Sequence, residues 1–155
     1  MKKRFWFALL IGYAFMLPIG AQMHNRSQDQ GTSPANTVIA RIRITFNHEE
    51  IIVGLFDSPA SRGLLAQLPL TLSFSDFASA EKIAYLPEKL TTRHTPTASQ
   101  ITGDFTYYAP WGNLAMFYNG YGHASGLYVL GSIESGKEKL AAQTRDFTAT
   151  IERIE

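Results

Sequence analysis

One stretch near the centre of the chain limits the possible folds more than any other. Residues 105–109 and 114–118 are rich in aromatic and apolar residues that favour strands. The segment between them, residues 110–113, reads Pro-Trp-Gly-Asn, which is the composition of a tight turn. The sequence therefore predicts a hairpin, and an aromatic hairpin of this kind is typical of the middle of a sheet.

Alternating apolar residues predict a second hairpin earlier in the chain. In residues 38–46, apolar side chains at Ile42, Ile44 and Phe46 alternate with polar ones, as expected for a strand with one buried face. After a short polar turn, residues 50–56 return as a second and mostly apolar strand. The domain therefore opens with two antiparallel strands.

A short helix is predicted directly after this hairpin. Ser58 is a residue type that caps helices, and Pro59 suits the first helical position because its missing N–H needs no partner there. Leucines at spacing four follow, and Pro69 ends the pattern. We expect a helix over residues 59–67.

The remaining segments complete a pattern of eight strands and two short helices. Further strands are predicted at residues 70–75, 81–86, 105–109, 114–118, 127–134 and 147–154, with the second helix at 136–142. Two segments lack periodicity, the glycine-rich residues 119–126 and the long stretch 88–102. Loops of this length are uncommon in compact domains unless they cover a site, so the long stretch is a candidate lid. The alternative is an ordinary surface loop.

The first residues have the pattern of an export signal. Lys2, Lys3 and Arg4 precede an uncharged apolar run, and small residues ending at Ala21 suit a signal peptidase. A membrane anchor is the alternative, but the apolar run is shorter than the ~20 residues that span a bilayer. We expect a signal peptide at 1–21, a flexible linker at 22–36, a domain at 37–155 and an exported, periplasmic or secreted protein without a membrane anchor after cleavage.

Charge and composition exclude several classes of function. Without residues 1–21 the chain has 11 Lys and Arg against 13 Asp and Glu, with no cationic cluster, which argues against nucleic acid as a partner. Cysteine is absent, and the histidines stand singly, so no metal site is predicted. No phosphate loop or dinucleotide motif is present, and no cofactor is expected. We expect a monomer.

Two motifs resemble those of the cyclophilins. Residues 112–116, Gly-Asn-Leu-Ala-Met, are similar to the Gly-x-Leu-Ser-Met strand of that family. Residues 130–136, Leu-Gly-Ser-Ile-Glu-Ser-Gly, are similar to the Phe-Gly-x-Val-x-x-Gly segment that leads into its second helix. The order of strands and helices is also that of the cyclophilin barrel.

A closer resemblance is to the bacterial cyclophilin-like proteins, a compact branch of this family. It rests on Gly103-Asp104, on residues 108–114 (Tyr-Ala-Pro-Trp-Gly-Asn-Leu) and on residues 82–87 (Lys-Ile-Ala-Tyr-Leu-Pro). The resemblance covers residues 37–155. It implies an all-β fold with two short helices, in which eight antiparallel strands form a closed barrel.

The resemblance does not extend to the arginine that catalyses prolyl isomerisation in cyclophilins. In those enzymes it follows the pattern Phe-x-Arg on the third strand, whereas residues 70–75 here read Leu-Thr-Leu-Ser-Phe-Ser. The nearest arginines in sequence, Arg62 and Arg93, match no motif position. No catalytic residue is therefore assigned, and isomerase activity is expected to be weak or absent.

The predicted turn of the aromatic hairpin supplies the candidate ligand-binding residues. A tryptophan in a turn is either packed under a loop or offered to a ligand. The candidates are Trp111, its neighbours Tyr108, Pro110, Gly112 and Asn113, and Arg93 from the long segment. We expect a groove where residues 88–102 meet Trp111.

Two functions from different classes follow from these residues. The first is a binding module for a peptide segment or small ligand. The alternative is a peptidyl-prolyl cis-trans isomerase that works without the usual arginine. A hydrolase or lyase has no supporting motif, since residues 122–126 are not Gly-x-Ser-x-Gly.

Overall fold

A computed structural model describes residues 36–120 and 123–154. The predicted signal peptide 1–21, and the predicted linker 22–36 except for Asn36, lie outside the described residues. Tyr121 and Gly122, from the predicted glycine-rich loop, also lie outside them. In the described part of the chain, no helix is long and apolar enough to cross a membrane.

The described residues form nine strands and two short helices. In chain order these are β1 (Val38–Phe46), β2 (Glu49–Phe56), α1 (Pro59–Gln67), β3 (Leu70–Phe77), β4 (Glu81–Tyr85), β5 (Thr97–Ser99), β6 (Asp104–Tyr108), β7 (Asn113–Phe117), β8 (His123–Ser135), α2 (Lys137–Ala142) and β9 (Phe147–Arg153).

Eight of the strands close into an antiparallel barrel. Neighbouring strands follow the order β2-β1-β9-β3-β4-β7-β6-β8, and β8 pairs back onto β2. The extra strand, β5, pairs with β8. The predicted closed eight-stranded barrel with two short helices is confirmed.

The barrel interior is filled by the inward faces of the strands. On β1, Ile42, Ile44 and Phe46 are buried while the residues between them are not, which is the predicted alternation. Helix α1 contributes Ala60 and Leu64 to the same core. Its start also agrees with the sequence pattern, since the Ser58 hydroxyl accepts a hydrogen bond from Ser61 N at 3.1 Å.

The closure between β2 and β8 depends on a close approach of the two backbones. Gly131 of β8 pairs with Leu55 of β2. A Cβ atom at Gly131 would overlap the carbonyl of Gly54. A side chain at this position would therefore push the two closing strands apart.

Two segments differ from the sequence prediction. The stretch 88–102 contains β5, whose Ala98 is buried, so it is not a structureless loop. Strand β8 begins at His123, within the predicted glycine-rich loop 119–126, rather than at residue 127. Both strands depend on pairing between distant parts of the chain, which leaves no local signal in sequence.

A second, smaller apolar cluster lies on the outer face of the sheet. Its buried members are Ile83, Ala98, Ala115, Phe117 and Leu127. Strand β5 contributes Ala98, so it packs against the outer face of the barrel. This outer cluster is the floor of the candidate site.

Candidate functional site

The floor of the site is formed by the outward faces of β4 and β7. On β7, Leu114 and Met116 belong to the barrel core, so alternation directs Ala115 and Phe117 outwards. Across the strand pair, Ile83 lies opposite Ala115, and Glu81 lies opposite Phe117. The apolar floor of the site is thus bordered at one end by the carboxyl group of Glu81.

The wall of the site consists of three aromatic rings from three elements. The Trp111 ring lies edge-on to Tyr108, with the ring centroids 5.4 Å apart, and edge-on to Phe77 at 5.5 Å. Trp111 is held in the hairpin turn, where Gly112 has φ of 75° and donates its N–H to Tyr108 O at 2.9 Å. The indole nevertheless remains 47% exposed.

Floor and wall enclose a groove of about 170 Å³. Its lining residues are Phe77, Glu81, Ile83, Gln100, Tyr108, Trp111, Asn113, Phe117, Ala124 and Leu127. A larger extension of about 360 Å³ continues past Glu81, between the β3–β4 turn and residues Asn119 and Gly120. The groove itself is smaller than the roughly 300 Å³ at which sites for drug-sized ligands begin, so it suits one side chain or a small molecule.

An amide oxygen in the groove lacks a partner. Asn113 is 1% exposed, and its Nδ2 donates to Leu114 O at 3.0 Å. Its Oδ1 is buried without a hydrogen bond in the described part of the chain. A buried acceptor left in this state costs about 1–3 kcal/mol, which a ligand N–H or O–H in the groove would offset.

Glu81 is the second polar group without a partner in the groove. Its side chain lies between two aromatic residues in register, Phe77 on β3 and Phe117 on β7. The residue is 9% exposed, and no residue in the described ranges forms an ion pair or hydrogen bond with its carboxyl group. Burial raises the pKa of Glu81 to about 7. The carboxyl group therefore exchanges a proton near neutral pH.

Comparison with known proteins identifies the family. The model of the cyclophilin-like family matches residues 44–152, more than half of the chain. The chain belongs to the cyclophilin-like family. Among solved structures, it is similar to a hypothetical protein from Archaeoglobus fulgidus determined in solution, with a TM-score of 0.57 and 18% identity over 80% of this chain and 99% of that one. No curated protein matches the sequence.

In this cyclophilin-like domain, the predicted site residues separate into three groups. Tyr108, Trp111 and Asn113 line the groove. Pro110 and Gly112 lie in the same turn but do not line it. Arg93 lies in an exposed turn and is absent from the groove lining. The long segment reaches the groove through Gln100 instead.

The most informative residue that sequence reasoning missed is Glu81. A single glutamate at the start of a strand, next to a lysine, is usually solvated. Its burial depends on Phe77 and Phe117, which become its neighbours only through strand pairing. The two aromatic residues flank Glu81 in space, and the register of β3, β4 and β7 is the signal that could have found it.

Two kinds of group are missing from the described residues of the site, a cluster of metal ligands and a lining arginine. Among the described residues, no group of three or more acidic, histidine or cysteine residues is arranged to hold a metal ion. The described residues that line the groove include no arginine, and Arg62 is paired with Asp57 at 2.6 Å. The site can accept hydrogen bonds and enclose an apolar group.

Proposed function

We propose that this cyclophilin-like domain is a ligand-binding module whose outer groove takes up a peptide segment or small ligand. The observation that carries the proposal is a pair of polar groups with no partner in the described part of the chain, the buried Asn113 Oδ1 and the carboxyl group of the largely buried Glu81, beside an apolar floor. Buried polar groups are paired in the great majority of cases. A bound ligand would supply the missing partners.

The aromatic wall supports the same proposal. Trp111 contacts two other rings yet leaves about half of its surface in water. A tryptophan that served only to pack under a loop would be more deeply covered. Tryptophan is enriched among the residues that dominate binding energy, where its ring is covered by the partner.

We further propose that the module acts outside the cytoplasm. Support comes from the positive start, the short apolar run and the small residues ending at Ala21.

The test is a titration that reports on Trp111. In the full chain, Trp6→Phe leaves Trp111 as the sole tryptophan, because the sequence contains two. Its fluorescence is followed while 2-phenylethylamine, 2-phenylethanol, 3-phenylpropanoate or an Ala-Ala-Pro-Phe peptide is added. We expect at least one probe to shift the emission in a saturable manner, and no response to any probe would contradict the proposal.

Substitution of the anchor tests whether binding occurs in the groove. Trp111→Ala removes the wall, and we expect binding to weaken by ~1–3 kcal/mol, measured by calorimetry because this variant lacks the fluorescent reporter. The matched control is Tyr85→Ala, since Tyr85 is an exposed aromatic residue on β4 outside the groove lining. Equal loss in both variants, or loss of the folded state in Trp111→Ala, would show that Trp111 is a packing residue.

A further inference from the structure

The groove contains acceptors for hydrogen bonds and no positive charge of its own. Glu81 is the only carboxylic acid among the described residues that line it, and none of these residues is a lysine, arginine or histidine. An ionised Glu81 is therefore a partly desolvated negative charge, with no cation beside it among the described residues that line the groove. A group of this kind attracts a cation and repels an anion.

We propose that the groove selects a small organic cation, in which an ammonium group pairs with Glu81 and an apolar body lies against the aromatic wall. This inference rests on the proposed function and specifies its ligand class. Electrostatic complementarity with Glu81 defines the charge of the ligand, and the size of the groove limits its bulk. A free amine is the occupant to which the structure points.

Aromatic residues lie next to Glu81 on the neighbouring strands. Phe77 and Phe117 flank the carboxyl group, and Trp111 contacts Phe77. Aromatic faces attract ammonium groups, and more strongly when the pair is shielded from water. An ammonium group in this position would be attracted by the carboxylate and by any ring whose face is turned to it. A neutral group would not be attracted by the carboxylate in this way.

Asn113 adds a second requirement at the other end of the groove. In the β4–β7 register, Glu81 lies opposite Phe117 and Tyr85 lies opposite Asn113, so the two polar residues are roughly 13 Å apart along the strands. With Nδ2 already donating to Leu114 O, the free oxygen of Asn113 is an acceptor. A carboxylate on the ligand would be disfavoured near either residue, because both present oxygen acceptors.

The part of the groove beside the aromatic wall has the size of a small molecule, and the additional room lies in the extension past Glu81. About 170 Å³ is below the range for drug-sized ligands and leaves room for a ring and a short chain. The extension past Glu81 is larger and is bordered by polar residues such as Ser79 and Asn119. We therefore assign the cation to a free amine, and a lysine side chain on a peptide is the competitor in the test.

Other titratable groups near Glu81 lie on other faces or outside the groove. Lys82, the next residue on β4, points to the opposite face, where its Nζ lies 2.6 Å from Asp76 Oδ1 on β3. On β6, Tyr108 lines the groove and the partly buried Asp104 does not. On β8, His123 precedes the lining residue Ala124 and is exposed.

The test compares three probes of matched shape, each added to the full chain carrying Trp6→Phe. These are the cation 2-phenylethylamine, the neutral 2-phenylethanol and the anion 3-phenylpropanoate. At about pH 8 we expect the cation to bind on the order of tenfold more tightly than the alcohol, and the anion to bind most weakly. Glu81→Gln should remove the preference, whereas Asp104→Asn, a half-buried carboxylic acid outside the groove lining, should retain it.

A pH series on the unsubstituted site gives a second measurement. The amine of the probe, like that of lysine, stays protonated between about pH 5.5 and about pH 8, whereas Glu81 ionises within this range. Binding of the cation should therefore tighten on the order of tenfold as the pH rises, and should vary little in Glu81→Gln.

The outcomes separate this inference from the proposed function. Equal binding of cation and alcohol, or an unchanged preference in Glu81→Gln, would overturn the ligand class and leave the binding module intact. Binding of an Ala-Lys-Ala peptide about tenfold more tightly than 2-phenylethylamine would overturn the assignment to a free amine. Failure of every probe to bind would overturn both proposals.

Discussion

At the scale of single residues, Glu81 lowers the stability of the domain whenever it is ionised and the groove is empty. Burial raises its pKa from 4.5 to about 7, so the folded state favours the protonated form. Because the unfolded chain releases this proton at lower pH, the domain loses stability as the pH rises from about 4.5 to about 7. Ionised Glu81 thus lowers the free energy of unfolding at neutral pH. Groups with perturbed pKa values of this kind are concentrated at functional sites.

We expect Glu81→Gln to stabilise the empty domain at about pH 8 by on the order of 2 kcal/mol, since the neutral amide removes the buried charge. At about pH 4 the two proteins should have nearly equal stability, because Glu81 is then protonated in both folded and unfolded chains. Urea unfolding at the two pH values measures the difference. Glu88→Gln, at an exposed carboxylate, is the control. An equal gain at both pH values would contradict the assignment of the effect to charge.

The residues of the candidate site differ in how well the sequence predicted them. Trp111 and Asn113 were found because turn chemistry is local, and a large ring in a turn is unusual. Arg93 was a candidate from the long segment, but exposed residues in that segment have no sequence signal that positions them over a groove. Glu81 was missed because its burial is created by strands β3 and β7, which its own sequence context does not reveal.

At the scale of elements, the sequence predicted those elements whose ends are set by neighbouring residues. It did not predict those that depend on pairing with distant strands. Helix α1 begins and ends where a capping serine, an N-terminal proline and a following proline placed it. Strand β5 has three residues, and its pairing with β8 and the burial of Ala98 hold it against the barrel. Strand β8 pairs with three other strands and contains shifts in register, so no simple alternation marks its start at His123.

The β2–β8 closure offers a test at this scale. Gly131→Ala would place a methyl group against the Gly54 carbonyl on the facing strand, and we expect a loss of about 1–3 kcal/mol or more. Gly63→Ala is the matched control, because its added carbon would lie 3.5 Å from Leu90 Cδ2 in ordinary contact. Within helix α1 this change should stabilise by about 0.5–1 kcal/mol. Thermal unfolding measures both, and equal effects would contradict the close approach.

At the scale of the whole molecule, we expect the protein to be exported and its mature form to begin near Gln22. The positive start, short apolar run and small residues before the predicted cleavage site provide the physical reason. N-terminal sequencing of protein recovered from the extracytoplasmic fraction measures it. Intact Met1 in a membrane fraction would indicate an anchor.

We also expect prolyl isomerase activity to be weak or absent. The rotation barrier of about 20 kcal/mol falls when a positioned donor stabilises the twisted amide. Among the described residues that line the groove, none is an arginine. An isomerisation assay with a proline peptide, run beside an ordinary cyclophilin, provides the comparison. A similar rate would mean that another donor, such as the Gln100 amide, replaces the arginine.

The position of β9 also determines when the barrel can form. Residues 147–153 lie between β1 and β3, and pair with residues more than seventy positions earlier in the chain. During translation, both neighbours therefore emerge from the ribosome long before the strand that joins them. The barrel stays open until that segment is synthesised. Before that stage the chain is not yet folded into a barrel, so a secretion channel that accepts only unfolded chains would still accept it.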